Sequence, residues 1–189
     1  QGTDPLAPHV PAGYSTGALH PLQTRADPVL GARQLAGVYF SISGEPSALG
    51  VARRLVHHLG GESHSIPVTR RPLYHAAAVF ASNYLAGLIA AAGRLMAQVG
   101  IPEDEALRSI LPLARGSLEN LERMGPVLAL TGPISRGDTD TIRMHLRTLE
   151  PRERGLYAAL GLEILNLAEE GGLAGETAEA VREILEEKR

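Results

Sequence analysis

The 189-residue sequence contains no cysteine and no tryptophan, and aromatic residues make up only 4% of it. Without cysteine the chain has no disulfide, no thiolate zinc site and no cysteine nucleophile. This composition fits a reducing cytoplasm, which is the predicted location. The formal net charge is −3 and no basic run is present, so we expect no nucleic-acid partner.

Several catalytic motifs are also missing. The sequence has no G-x-S-x-G, no H-E-x-x-H and no P-loop. Its seven histidines lack the spacing of a ligand set, and we expect no metal site. The G-x-G-x-x-G motif, with which dinucleotide-binding units begin, is absent as well.

One segment is long and apolar enough to need a membrane test. Residues 72–93 carry no charge and lie between Arg71 and Arg94. However, the segment contains His75 and Asn83, and eight of its residues are alanine. Polar groups are costly inside a bilayer, so the sequence favours a buried central helix and no membrane partner.

The first third of the chain has the pattern of an α/β unit. Residues 1–36 are rich in Pro and Gly and are predicted as loop with short strands, one of which ends at His20. A strand is predicted at 38–42, a helix at 47–59 and a further strand at 63–67. Strand, helix and strand in this order are typical of a parallel sheet.

From Arg71 onward the sequence predicts only helices. A long helix covers residues 72–99 and ends before Gly100, and a second begins near Pro102, with Pro112 as a candidate kink. Asp138 or Thr139 is predicted to cap a later helix. The remaining predicted segments are a loop at 125–138 and helices at about 140–149, 151–170 and 176–188.

The predicted fold is therefore mainly α, with two domains. Residues 1–68 form the remnant of an α/β domain, and residues 69–189 form an all-α domain.

Three polar clusters are candidates for function. The first is the segment from His20 to Gln23, directly after a predicted strand. Ligands of open α/β sheets bind beyond the carboxyl ends of strands, and a histidine there could move a proton. The alternative is a loop histidine bonded to a backbone carbonyl.

The second cluster lies on the long helix and comprises Tyr74, His75, Ser82 and Asn83. His75 and Ser82 are seven residues apart, so they share a helix face. A polar stripe on an apolar helix needs polar partners or a cavity. The alternative is hydrogen bonding inside the core or in a dimer interface.

The third cluster is the polar loop at residues 131–138. Arg136 could hold a carboxylate or phosphate through two parallel hydrogen bonds. Asp138 is predicted to act first as a helix cap. The alternative for Arg136 is an ordinary surface charge.

Residues 17–23, 74–84 and 132–138 together resemble a family of Rossmann-like oxidoreductases. The C-terminal helical domain of that family carries only a domain-of-unknown-function label. The resemblance extends from about residue 13 to about residue 170. The family is distantly similar to pyrroline-5-carboxylate reductase, ketopantoate reductase and the 6-phosphogluconate dehydrogenase-like group.

The resemblance implies a two-domain enzyme. An N-terminal Rossmann domain would hold NAD or NADP, and a helical domain of the 6-phosphogluconate dehydrogenase C-terminal type would close over the nicotinamide and form a homodimer. The related dehydrogenases place a lysine about where His75 stands, with an asparagine one turn later. Here that later position is Val79, which is a departure from the family pattern.

The expected function is hydride transfer to a small carbonyl or imine substrate, such as a 2-keto acid. His20 and His75 are the candidate proton donors, and His20 and Pro21 would lie beside the cofactor. The residues expected to hold the substrate are Gln23, Ser82, Asn83, Ser135 and Arg136. Because the glycine motif is missing, we expect this chain to be the C-terminal part of the enzyme and inactive alone. The alternative is a non-catalytic helical dimerisation or ligand-binding module.

Overall fold

The computed structural model describes residues 13–24 and 35–187. This part of the chain is mainly helical with one three-stranded sheet, as the sequence predicts. The strands are β1 (Gly17–Pro21), β2 (Tyr39–Gly44) and β3 (Glu62–Ser65). The helices are α1 (Pro46–His58), α2 (Arg71–Val79), α3 (Leu85–Gln98), α4 (Glu103–Ala129), α5 (Thr139–Thr148), α6 (Pro151–Glu170) and α7 (Gly175–Glu186). Much of the loop predicted at residues 1–36 lies outside the described residues.

The chain divides into two compact units, Gln1–Leu88 and Ile89–Arg189. The division falls inside α3. Residue 68, the predicted domain boundary, is instead the place where strands give way to helices. A domain boundary at that residue stays a prediction.

The sheet of the first unit has the strand order β1-β2-β3. β2 and β3 are parallel and are joined through α1, which confirms the predicted strand–helix–strand unit. β1 is antiparallel to β2, with Leu19 opposite Ile42. One face of the sheet is apolar, because Phe40 and Ile42 of β2 form a buried cluster with Val56 of α1.

The opposite face of the sheet is polar. The strand register places His20 of β1 and His64 of β3 on either side of Ser41, and directly paired residues point to the same face. The Arg71 Nε donates a 2.7 Å hydrogen bond to the hydroxyl of the buried Ser43. The beginning of α2 therefore lies against this polar face.

Helices α2 and α3 continue one into the other through a π-helical turn at Phe80–Tyr84. By length and composition alone this helical segment could cross a membrane, yet only 6% of its most apolar 18-residue window is buried. The prediction of a buried central helix is therefore wrong for the described chain. Its apolar character comes from alanine and leucine, and nothing in the described residues covers most of it.

The second unit is built around α5, α6 and α7. Its core includes Ile142, Leu165, Val181 and Leu185, all fully buried. Gly161 of α6 lies where a Cβ would collide with the Leu185 side chain, so α6 and α7 pack closely at this point. The predicted helices at 140–149, 151–170 and 176–188 agree with the observed elements to within two residues.

Helix α4 bends at Gly125, not at the predicted Pro112. Gly125 has a φ of 76° and a ψ of 169°, and the helix resumes at Pro126. A residue before proline is disfavoured in the helical region, and glycine tolerates the positive φ. The loop that the sequence predicts at 125–138 therefore begins only after Ala129, where α4 ends.

Candidate functional site

A cavity of about 660 Å³ lies within the first unit. One wall is the end of β1 and the residues after it, from His20 to Thr24. The other wall is the α2 helix and the π-turn, from Tyr74 to Asn83. The cavity therefore brings together two of the three clusters that the sequence singles out, at the carboxyl end of β1.

The β1 wall contains three predicted site residues. Pro21 is buried, whereas His20 is exposed and Gln23 is half-buried. The backbone N–H of Leu22 donates to the Tyr39 carbonyl at 2.7 Å, which holds the chain beside β2 just past the strand end. This anchored backbone positions His20 and Gln23 at the cavity.

The helical wall contains His75, Ser82 and Asn83. His75 and Ser82 both line the cavity, in agreement with their predicted common face. Ser82 and Asn83 belong to the π-turn, a local widening that is frequent at functional sites. The Ser82 hydroxyl lies 2.7 Å from the Ala78 carbonyl and 2.9 Å from Asn83 Oδ1.

Tyr74 is a site residue to which sequence reasoning assigned no role. Its hydroxyl is buried and has no hydrogen-bond partner of good geometry within the described part of the chain, although the Ser41 hydroxyl lies near it. Burial raises the pKa of Tyr74, and interaction with the Ser41 hydroxyl lowers it by less. Because the hydroxyl itself is buried beside Ser41, Tyr74 borders the cavity through other atoms of its residue.

Among the described residues that line the cavity, none is Asp, Glu, Lys or Arg. The polar groups of these residues are the imidazoles of His20 and His75, the amides of Gln23 and Asn83, and the hydroxyls of Thr24 and Ser82. Among the residues that the structure describes, no group of three or more His, Asp or Glu side chains is placed to hold a metal ion. The arrangement can therefore form hydrogen bonds with a ligand and exchange protons with it.

The third predicted cluster belongs to the second unit, and much of it supports the local fold. The Ser135 hydroxyl donates to the Gly132 carbonyl at 2.9 Å, and Asp138 caps α5. Gly137 has a φ of 67°, and a Cβ there would collide with Thr177. Arg136 is exposed. Substrate contact by Ser135 and Arg136 stays a prediction.

A domain family described as a domain of unknown function, DUF2520, matches residues 38–164 of the sequence. The match includes the Tyr74 and Arg136 clusters, whereas the His20 cluster precedes it. No functionally curated protein matches the sequence at a significant level.

Several solved structures resemble this chain, including the two that follow. Protein TM1727 from Thermotoga maritima superposes with a TM-score of 0.69 at 25% identity, over 82% of this chain and 62% of that chain. A protein from Bacteroides fragilis, BF3122, is named provisionally as an NADP oxidoreductase. It superposes with a TM-score of 0.67 at 25% identity, over 84% of this chain and 59% of that chain. The chain thus spans about three fifths of the length of both structures.

Proposed function

The chain belongs to the DUF2520 family, and on that premise we propose that it forms the C-terminal part of an NADP-dependent oxidoreductase. The observation that carries the proposal is the cavity at the carboxyl end of β1, which both His20 and His75 line. The name of the Bacteroides fragilis protein supports NADP as the cofactor.

The proposed reaction is reduction of a small carbonyl or imine compound, with a 2-keto acid as one candidate. Reduction adds a hydride to the carbon and a proton to the oxygen or nitrogen. The reduced nicotinamide, when bound, would supply the hydride. His20 or His75 would donate the proton, since histidine is the most frequent general acid in enzymes.

The residues of this chain fit only one end of such a cofactor. His20 and Pro21 would border the nicotinamide, but the sequence has no glycine-rich motif for the phosphates. We propose that the phosphates bind to the part of the longer solved structures that has no counterpart in this chain.

Within the described sheet β1 is an edge strand. An apolar groove of about 430 Å³, lined by Leu19, Val51 and Leu55, lies beside it. An unpaired edge next to an apolar groove is a surface that further sheet would cover.

Gln23, Ser82 and Asn83 would hold the substrate, because all three line the cavity. The volume of about 660 Å³ is typical of small-molecule sites. We further propose that Arg136, with Ser135, clamps an acidic group of the substrate. The exposed guanidinium in a polar loop supports this role.

We propose that the protein is a cytoplasmic homodimer without membrane or nucleic-acid partners. The exposed α2–α3 segment supports association, because an apolar surface made of small side chains lets a second helix approach closely. The same exposure favours a second candidate function, a non-catalytic dimerisation or ligand-binding module. The polar groups that line the cavity favour the enzyme.

The test is NADPH oxidation by the full-length gene product with a panel of small 2-oxo acids and cyclic imines. We expect turnover with at least one compound, and a loss of about 10²–10⁴-fold in rate when the proton donor is replaced. His20→Ala and His75→Ala then identify the donor. A full-length protein that binds no NADPH would contradict the proposal and favour the non-catalytic module.

A further inference from the structure

Two histidines line the cavity of the first unit, one on each wall. His20 stands at the end of β1 and His75 on α2. Both residues are exposed, so taking up a proton costs them little desolvation. Histidine is the side chain whose ordinary pKa falls between pH 5 and 8. The charge of the cavity wall therefore depends on pH in the physiological range.

The other polar groups of the described wall stay neutral in this range. Gln23 and Asn83 contribute amides, and Thr24 and Ser82 contribute hydroxyls. Burial raises the pKa of Tyr74, so its phenol keeps its proton. None of the described lining residues has a carboxylate that would pair with a cation. The wall can thus become positive but not negative, which favours anionic ligands over cationic ones.

The charged groups on neighbouring elements do not change over the same range. Arg71 lies one turn before His75 on α2, and on the sheet the Glu62 carboxylate interacts with the Tyr39 hydroxyl. Arginine and glutamate both keep their charges between pH 6 and 8. A third imidazole, that of His64, stacks on the Tyr39 ring at 4.8 Å and does not line the cavity. A ligand affinity that changes between pH 6 and 8 therefore reports an imidazole, and His64 provides the control.

We propose that the cavity binds a small carboxylate and that this binding is linked to the uptake of a proton by His20 or His75. The imidazolium supplies the counter-charge that the rest of the wall lacks, and its N–H donates to a carboxylate oxygen. The inference rests on the proposed function only in taking this cavity as the substrate site. The counter-charge belongs to the first unit and is separate from the clamp proposed for Arg136.

The experiment titrates this 189-residue chain with acetate and with acetamide at pH 6 and pH 8, at constant ionic strength. Acetamide matches acetate in size and shape but has no charge. NMR of the histidine ring C–H signals follows binding. We expect saturable acetate binding at pH 6 that is about tenfold or more weaker at pH 8, because a proton is taken up with the carboxylate. Acetamide is expected to bind equally at the two pH values.

Three results of this titration would overturn the inference. Acetate might show no saturable binding at pH 6, or it might bind equally at pH 6 and pH 8. Acetamide might also show the same pH dependence as acetate, which would point to a change in the fold and not in the charge of the wall.

A second measurement needs no variant. Because linkage is reciprocal, saturating acetate should move the pH midpoint of the ring signals of His20 or His75 upward. The midpoint of the His64 signals should stay where it is. Unchanged midpoints at both cavity histidines would contradict the proposal.

Matched variants identify the imidazole. His20→Gln and His75→Gln each keep a polar side chain that does not titrate. The double variant is expected to bind acetate at pH 6 about as weakly as wild type does at pH 8, whereas His64→Gln should behave as wild type. Wild-type acetate affinity at pH 6 in a folded double variant would overturn the inference. If circular dichroism shows that the double variant does not fold, the midpoints of the wild-type chain decide.

NADPH oxidation is measured separately on the full-length protein. Proton-linked acetate binding without turnover would refute the proposed function and leave this inference standing. Turnover of 2-oxo acids by a protein whose acetate affinity is the same at pH 6 and pH 8 would do the reverse.

Discussion

Asp138 receives two hydrogen bonds from Thr141, one from its backbone N–H at 3.0 Å and one from its hydroxyl at 2.7 Å. These bonds lower the pKa of the Asp138 carboxyl, with a smaller contribution from the charge of Arg136. The carboxylate thus satisfies one of the free N–H groups at the start of α5. The loop that carries Arg136 is held in place by this cap.

Replacing the cap should therefore lower stability. We expect Asp138→Ala to reduce the melting temperature by about 2–4 °C, the usual scale for loss of one cap in a chain of this size. Asp138→Asn keeps a side-chain acceptor and serves as the control. Thermal unfolding followed by circular dichroism measures both. Equal melting of the alanine variant and wild type would contradict the structural role of the cap.

Stability should also depend on pH through the Arg94–Glu153 pair. The Arg94 Nε donates to Glu153 Oε1 at 3.0 Å, and this bond lowers the pKa of Glu153 although burial opposes the shift. A carboxyl whose folded pKa lies below its unfolded value stabilises the fold above the unfolded value. That contribution is lost as the pH falls through the folded pKa.

The corresponding variant is Glu153→Gln. We expect it to be less stable than wild type at neutral pH, with the difference shrinking as the pH falls below about 4.3, the ordinary value for glutamate. Glu163→Gln, at an exposed position of the same helix, is the control. Urea unfolding at a series of pH values gives the two curves. A pH-independent difference would show that the ion pair is not its cause.

The exposed α2–α3 segment predicts self-association. Light scattering of the wild-type chain should give about twice its mass of 20.0 kDa. Phe80 is 69% exposed, and Phe80→Glu places a charge on this surface, so we expect a monomer. Met144→Glu, at a 58% exposed position of α5, is the control for an added charge. A wild-type monomer at high concentration would remove this explanation of the apolar surface.

Activity and stability should respond differently to changes at His75, a proposed proton donor, and at Arg136, a proposed substrate-binding residue. If the full-length protein is the proposed oxidoreductase, His75→Ala and Arg136→Ala should lower turnover far more than the melting temperature, because both side chains are exposed. His57→Ala and Arg147→Ala are controls at exposed positions outside the cavity. Normal turnover combined with a much lower melting temperature would make His75 and Arg136 structural residues.

Local sequence signals predicted many of the elements. The Asp138 cap, the strand–helix–strand unit and the helix beginning at Pro151 each depend on short-range chemistry that is visible in the sequence. The bend at Gly125 also has a local sequence signal, because a glycine directly before a proline interrupts a helix more strongly than Pro112 alone does.

Other features depend on long-range packing and could not be predicted. The π-turn has no composition signature, and the opposition of His20 and Ser41 is set by strand pairing across about 20 residues. Leu107, Leu118 and Leu121 follow a helical stripe but remain exposed in this chain. Periodicity identifies an apolar face and does not say which surface covers it.

Hydrogen–deuterium exchange of the full-length protein, with and without NADPH, tests the central claim most directly. If the cavity borders the nicotinamide, NADPH should slow amide exchange in Gly17–Pro21 and in Phe80–Tyr84, while α7 exchanges at an unchanged rate. Saturating NADPH that leaves exchange in β1 and the π-turn unchanged would contradict the assignment of this cavity to an NADP-dependent oxidoreductase.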